Sequence, residues 1–392
     1  MRALWLTSSY PRYAGDHAGI FLHRWARGLV SRGVEVRVVA PGCPGAPNRE
    51  RIDGVEVVRF PYAWPRSRQR LAYRSAGLMV GLSGAGKARI APFAASFLWH
   101  ALRESRDADL IHAFWTPMGA IALATRILRR CPVVLSPLGT DLRVLPRVFN
   151  RTVIAGAQAV VAGGGPCTEV YDRLGKLTTK PLHRIFLPLD EPTLDAGDGD
   201  AFRREFEIKD ERVVSFIARM YDLKDPWTML QATPLVLVAR PGVRFVMVGD
   251  GPLLPSLREA AKSLGVEREV IFTGARNDIG SILKASDAFV SLNLEDNCWA
   301  TTIAEAMHLG VPCIVSDGGA ERKLFPHGDA AWLIPQQDPR ALARAIDRLL
   351  SNGEMAKRLT EGGRALLAAH RRRDDLIFDD TMTLYESVID GA

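Results

Sequence analysis

Arg219 and Lys224 stand five positions apart, directly after an apolar run, Val213-Val214-Ser215-Phe216-Ile217. Further along, a Gly249-Asp250-Gly251-Pro252 turn follows Phe245-Val246-Met247-Val248, and Glu305 opens Glu305-Ala306-Met307 on a segment of helical character. Two fixed cations beside a helix start suit a nucleotide diphosphate. Guanidinium and ammonium groups make charge-assisted hydrogen bonds to phosphate oxygens, and the unpaired N–H groups of a first helical turn add donors and partial positive charge. A glycine at a strand end permits positive φ and close backbone approach to a ligand, although the same residues also make a plain tight turn. Most arginines and lysines are solvated surface charges. These two differ in place: they follow a buried strand, at the end where open α/β sheets bind ligands. No Gly-x-Gly-x-x-Gly accompanies them, which disfavours a dinucleotide site.

Other constellations read as structure. Residues 81–88, Gly-Leu-Ser-Gly-Ala-Gly-Lys-Ala, approach a Walker A loop, but Ala88 stands where a Ser or Thr would hold magnesium, and no strand precedes it. Asp107-Ala108-Asp109 looks like a metal-binding pair, yet it comes before its strand, at the end opposite the expected crevice, and reads as a solvated cap. The acidic run from Asp195 to Asp200 lacks EF-hand spacing and reads as a linker. His112 lies inside a strand, as a core histidine would. No metal site is expected. The five cysteines, Cys43, Cys131, Cys167, Cys298 and Cys313, are odd in number and scattered, so the expectation is a reducing cytosol without disulfides.

The elements that must position these residues are legible. At 392 residues and 47% hydrophobic content, the chain is long enough for two α/β cores. Residues 1–41 read strand, glycine-containing loop, helix, strand, with Gly33 ending the helix. Strands are expected at 55–60, 110–114, 133–136 and 160–162, and after the joint at 188–200 again at 213–217, 244–248, 270–272, 288–292, 313–316 and 332–334. Strands alternating with helices imply parallel sheets with right-handed crossovers. The domain expectation is 1–190, 191–375 and a terminal helix at 376–392. A formal net charge of +7 fits anionic ligands or an anionic membrane surface. With no RNP, zinc-finger or helix-turn-helix pattern, nucleic acid is not an expected partner. Residues 62–106 interleave Trp64, Leu71, Phe93, Phe97 and Trp99 with Arg66, Arg68, Arg70, Arg74 and Arg103. They read either as amphipathic helices packed on the domain or as a basic-apolar surface for anionic lipid.

Taken together, these motifs resemble the retaining family-four glycosyltransferases of the GT-B fold. The likeness is strongest over 213–350. The family's Gly-Arg-Leu…Lys-Gly element is similar to Ala218-Arg219-Met220…Lys224-Asp225. Its Gly-Asp-Gly-Pro turn is intact at 249–252, its Phe-x-Gly turn resembles Phe272-Thr273-Gly274, and its Glu-Ala-Met-Ala-x-Gly-x-Pro segment resembles Glu305 to Pro312. Its Gly-Gly-x-x-Glu loop is shortened to Gly318-Gly319-Ala320-Glu321, and Tyr10-Pro11…Gly19-Ile20-Phe21 resembles the acceptor-side glycine loop. Departures lie in the catalytic detail. The family's paired glutamates stand eight apart, and eight before Glu305 is Asn297, preceded by Glu295 and Asp296. Ala300 replaces the glycine before the donor helix, Leu138 replaces the histidine of His-Gly-x-Asp, and Leu187-Pro188-Leu189-Asp190 replaces Asn-Gly-Val-Asp.

The resemblance implies two Rossmann-like doubly wound domains facing a central cleft, the terminal helix packing back on the first. It implies a retaining transfer of sugar from a nucleotide-diphosphate donor to a glycan or lipid-linked acceptor, with no cofactor and no metal. Catalytic roles fall to Arg219, Lys224, Asn297 and Glu305, and donor binding to Gly249, Asp250, Gly251, Gly274, Arg276, Ala300, Thr301, Thr302 and Glu305. The acceptor side takes Gly15, Gly19, His112 and Asp141. The cysteines point to a cytoplasmic setting, and the net charge with the basic-apolar reading of 62–106 adds reversible contact at the inner membrane face. The other classes weighed are a catalytically weakened sugar-nucleotide-binding partner subunit and a GT-B sugar-nucleotide epimerase.

Overall fold

The computed structural model describes residues 1–13, 15–69, 71–73, 89–163, 169–294, 300–318, 321–370 and 373–391. Two compact units emerge: one takes in Met1–Pro166, Val170–Pro188 and the segment from Arg373 onward, the other Cys167–Glu169 and Leu189–Arg372.

The sheet of the first unit holds β1 (Arg2–Leu6), β2 (Glu35–Pro41), β3 (Arg49–Ile52), β4 (Val55–Phe60), β5 (Leu110–Phe114), β6 (Val133–Ser136), β7 (Ala159–Ala162) and β8 (Leu182–Arg184). Their order is β3-β4-β2-β1-β5-β6-β7-β8, with every neighbouring pair parallel except the β3–β4 hairpin. Central strands such as Leu-Ile-His-Ala-Phe are buried along their whole length because helices cover both faces. Two strands carry no apolar run and escape the sequence reading: β3, Arg-Glu-Arg-Ile, whose charges suit an exposed edge, and β8, Leu-His-Arg.

Helix Ile20–Val30 buries Leu22, Trp25, Ala26 and Leu29, the spacing of one helical face. Helix Asp374–Asp390, from the far end of the chain, packs on it within the same unit. Trp25 Nε1 donates to Thr381 Oγ1 at 3.0 Å, and Trp5 Nε1 donates to Tyr385 Oη at 3.1 Å. His112 joins this network with both ring nitrogens: Nδ1 lies 2.6 Å from Tyr385 Oη and Nε2 lies 2.7 Å from Ser136 Oγ. Burial alone pushes the His112 pKa down to about 3, so the ring is neutral. At Gly28 an added Cβ would sit 2.1 Å from the Phe378 ring, so only glycine admits that ring. On the opposite side, helix Ile90–Glu104 buries Phe93, Phe97 and Ala101, with Phe97 stacked on Phe60 at 4.4 Å. This part of 62–106 is domain packing. Trp64 and Trp99 are exposed, and Arg70 and residues 74–88, with the Walker-like run, lie outside the described residues.

The second unit holds β9 (Arg212–Ile217), β10 (Val243–Val248), β11 (Val270–Gly274), β12 (Ala288–Ser291), β13 (Cys313–Asp317) and β14 (Trp332–Pro335). All pairs are parallel, in the order β11-β10-β9-β12-β13-β14. The chain runs outward from β9 to β11, then returns to the other side of β9 at β12. That reversal makes the carboxyl ends of β9 and β12 a topological switch point, where such sheets open a crevice. No helix among the described residues is long and apolar enough to cross a membrane.

Tyr385→Phe strips the partner from the buried Trp5 N–H and from one nitrogen of His112. The expected loss is about 1–3 kcal/mol in urea unfolding. His112 has its folded pKa depressed below the ordinary 6.5, so its contribution is complete above about pH 6.5 and declines as pH falls toward about 3. The stability advantage of the native chain over His112→Asn should therefore shrink by about 1.4 kcal/mol per pH unit in that window. A difference that stays constant from pH 7 to 4 contradicts the assignment.

Candidate functional site

Three backbone bonds stitch the carboxyl ends of the second sheet together. Ala218 N donates to Val248 O at 3.0 Å, Met220 N to Asp250 O at 2.9 Å and Gly249 N to Gly274 O at 2.8 Å. The Gly249–Gly251 turn thus packs directly on the backbone that carries Arg219. Gly249 has φ 134°, and a Cβ there would lie 1.9 Å from Ala218 O. The tight-turn reading of these glycines is therefore physically present. Asp250 is exposed, its carboxylate accepting the neighbouring Gly251 N–H at 2.7 Å.

Arg219 is exposed, its guanidinium 4.9 Å from the centre of the Tyr221 ring. A 3₁₀ turn, Asp222–Lys224, follows, and Asp225 in the left-handed region (φ 46°) caps helix Pro226–Ala239 by accepting the Thr228 N–H at 3.3 Å. Burial raises the Asp225 carboxyl above its ordinary pKa. Lys224 Nζ lies 3.4 Å from Asn293 Oδ1. Asn293, just past β12, is itself pinned: its N–H donates to Ser316 Oγ at 2.8 Å, and Gln336 Nε2 donates to its carbonyl at 2.7 Å. Leu294 N donates to Leu223 O at 2.9 Å, tying this segment to the 3₁₀ turn. Asn293 was not singled out from sequence. The available signal was a polar residue directly after an apolar strand.

Between β12 and β13 runs helix Thr301–Leu309. Its N-cap is Ala300, which has no side-chain acceptor, and Thr301 and Thr302 are half-buried in the first turn. Glu305 is 3% exposed on the next turn. Beyond β13, Glu321 is buried and accepts the Gly318 N–H at 3.0 Å. The structure thus places Arg219, Lys224, the Gly249–Gly251 turn, Gly274 and the Ala300–Thr302 helix start along the carboxyl edge of one sheet. Asn297, with Glu295 and Asp296, lies outside the described residues, as do Gly319 and Ala320.

Three of the expected site residues have their polar atoms engaged by other side chains or main chain of their own unit. Arg276 is engaged within its own unit: its Nη1 and Nη2 grip Glu205 at 2.6 and 2.8 Å, and its Nε and Nη2 grip Asp278, each at 2.8 Å. These side-chain bonds, Asp278 first, hold the guanidinium charged well above its ordinary range, and the same bonds hold Asp278 low. Arg276 is a structural cross-link. His112 is wholly buried in the Tyr385 network. Asp141 serves the fold: it is buried and accepts the Thr116 N–H at 2.7 Å, capping helix Thr116–Arg129, and the Gly139 N–H at 3.0 Å. Burial raises its pKa against these bonds. Gly15 (φ 89°) is exposed on its loop, whereas Gly19 (φ 68°) is buried, where a Cβ would meet Ser9 O at 2.4 Å. Asp107 pairs with Arg37 at 2.8 Å and Asp109 accepts the Arg2 N–H at 2.7 Å, so the Asp-x-Asp pair is an ionic clamp. Among the described residues no group of three or more His, Cys, Asp or Glu side chains could hold a metal.

Residues 198–366 match the family model for glycosyl transferases group 1, and residues 18–174 match that for a glycosyl transferase 4-like domain. N-acetyl-alpha-D-glucosaminyl L-malate synthase of Bacillus anthracis is 25% identical over 295 residues, 73% of this chain and 76% of that protein. 2-Deoxystreptamine N-acetyl-D-glucosaminyltransferase of Streptomyces fradiae is 28% identical over 359 residues, 84% of this chain and 82% of that protein. In fold, the chain is similar to Anabaena HepE, solved with UDP and glucose, at TM-score 0.74 and 17% identity, covering 99% of this chain and 100% of that one.

Gly249→Ala forces a Cβ into the Ala218 carbonyl, whereas Gly274 (φ 72°) has nothing within 4 Å of its Cβ position. Gly274→Ala should lose only the left-handed backbone preference, about 1–2 kcal/mol. Gly249→Ala should lose clearly more in denaturant unfolding. Equal losses would remove the steric explanation.

Proposed function

The chain belongs to the group 1 glycosyltransferases of the GT-B fold, which use nucleotide-sugar donors, and from that premise we propose a retaining, metal-independent transfer to a glycan or lipid-linked acceptor. The observation that carries the donor assignment is the convergence of Arg219, Lys224 and an uncapped helix start on the switch point of one sheet.

In this reading the second unit holds the nucleotide. As the bond between sugar and diphosphate breaks, negative charge grows on the leaving phosphate oxygens. Arg219 and Lys224 stabilise that charge more in the transition state than in the bound donor, which is the condition for acceleration. The N–H groups of Thr301 and Thr302 add donors to the same phosphates. Two protein cations take the part a divalent ion plays elsewhere. Glu305 holds the ribose hydroxyls and Asn297 the donor sugar, both by likeness to the family. The glycine loop around Gly15 and Gly19 belongs to the acceptor side. The enzyme works in the cytoplasm, with reversible contact at an anionic membrane surface.

The deciding experiment titrates the chain with UDP-, GDP- and ADP-sugars and follows transfer. Two relatives named for N-acetylglucosamine transfer, and a neighbour solved with UDP and glucose, make UDP-N-acetylglucosamine and UDP-glucose the first donors to try. A charged hydrogen bond contributes about 1.5–3 kcal/mol, so Lys224→Ala should weaken binding of the matching nucleoside diphosphate by roughly tenfold or more. Unchanged affinity by calorimetry sinks the clamp. Transfer should survive EDTA; abolition by chelation with recovery on adding manganese or magnesium contradicts metal independence. Asn297→Ala should impair transfer while nucleoside diphosphate affinity holds. If Glu295→Ala or Asp296→Ala shows that pattern instead, the sugar contact sits one or two residues earlier.

A further inference from the structure

The first unit exposes apolar side chains on two neighbouring helices that no other described element covers. On Thr116–Arg129, Ile127 is 80% and Leu128 67% exposed; on Arg147–Gly156, Val148 is 77% exposed. The helices touch, since Arg126 Nη1 donates to Gly156 O at 2.9 Å and Leu123 packs against Gly156. Single exposed apolar residues are ordinary. The charge around these is not.

From residue 110 to 163 the chain has six arginines, Arg126, Arg129, Arg130, Arg143, Arg147 and Arg151, no lysine and one acid, Asp141. Asp141 is buried and spent on backbone N–H groups. Among the described residues none of Arg126, Arg129, Arg130, Arg147 and Arg151 stands in an ion pair. Three of them bond neutral carbonyls: Arg126 to Gly156 O, Arg129 to Leu102 O at 3.1 Å and Arg147 to Lys176 O at 3.0 Å. Their charge is left uncompensated. The first unit balances arginines elsewhere: Arg37 and Arg49 pair with Glu56 and Glu104, and Arg37 also with Asp107. Those pairs also occupy the carboxylates next along the chain, on and after helix Ile90–Glu104. A self-complementary contact between two copies through this face would set arginine against arginine.

We propose that this face docks on an anionic phospholipid surface, Ile127, Leu128 and Val148 entering the headgroup region and the arginines meeting lipid phosphates. The inference rests on the reading that the acceptor is presented at a membrane, and it places the contact on helices 116–129 and 147–156 rather than on 62–106. A lipid-linked acceptor is then met in the plane where it lies, and the enzyme needs no spanning helix.

The test uses the full chain and vesicles of phosphatidylcholine with or without phosphatidylglycerol. The native chain should co-sediment with phosphatidylglycerol vesicles at low salt and be released as salt rises, since exposed charge is screened over about 10 Å at 0.1 M. The triple variants Arg129→Ser/Arg130→Ser/Arg151→Ser and Ile127→Ser/Leu128→Ser/Val148→Ser should each lose binding, the first by about fivefold per arginine. Calorimetric binding of the donor nucleotide reports that each variant is folded. Failure of the native chain to bind phosphatidylglycerol vesicles at low salt overturns the proposal. So does undiminished binding by both triple variants, or variants that change only self-association in the ultracentrifuge. If the native chain binds vesicles but no sugar nucleotide, the donor assignment falls and the lipid-facing surface stands.

Discussion

The close approach of two backbones at the edge of the second sheet is the constraint on which its chemistry depends. Gly249 lets the turn after β10 lie against the carbonyl of Ala218, and the bonds from Ala218, Met220 and Gly249 lock the ends of β9, β10 and β11 in register. Arg219 leaves the sheet from that locked segment, so the main chain fixes its base while its guanidinium lies against the Tyr221 ring. Lys224 is set from the other side of β9, where Leu294 binds Leu223 and Asn293 reaches Nζ. A side chain that must meet growing charge loses least when its base is already immobile.

Much of this edge was readable because apolar runs ending in Gly, Arg or Asn leave few alternatives in an alternating α/β chain. The strands around Arg219 and Gly249 fall where their hydrophobic runs end. What was not readable is partnership. Arg276 and Arg219 look alike in sequence, yet Glu205, 71 residues away, closes on the first. His112 lies within β5 and Asp141 shortly after β6, and Ser136, Tyr385 and the Thr116 N–H engage their polar atoms. Edge strands β3 and β8 lack the burial that writes itself into composition. Asn293 is informative only once Ser316 and Gln336 are seen to hold it.

The two sets of charged residues in the first unit follow opposite rules. On β1, β2 and β3, Arg2, Arg37 and Arg49 are matched to carboxylates. Across helices 116–129 and 147–156 the arginines go unmatched. Exposed ion pairs add little stability, about 0–1 kcal/mol each, so leaving the second set unpaired sacrifices little for the fold and keeps its field available to an anion.

Helix Asp374–Asp390 belongs to the first unit although 184 residues of the second, Leu189–Arg372, separate it from Pro188. Trp5 receives its hydrogen-bond partner from a residue 380 positions later. During synthesis the ribosome therefore delivers the first sheet with one flank bare, its tryptophans and His112 awaiting a lid that is translated only after Leu189–Arg372. The second unit is complete before that lid emerges. Maturation of the first unit thus waits for residues 374–390, and a chain that stops before them leaves its oldest core open to chaperones and proteases.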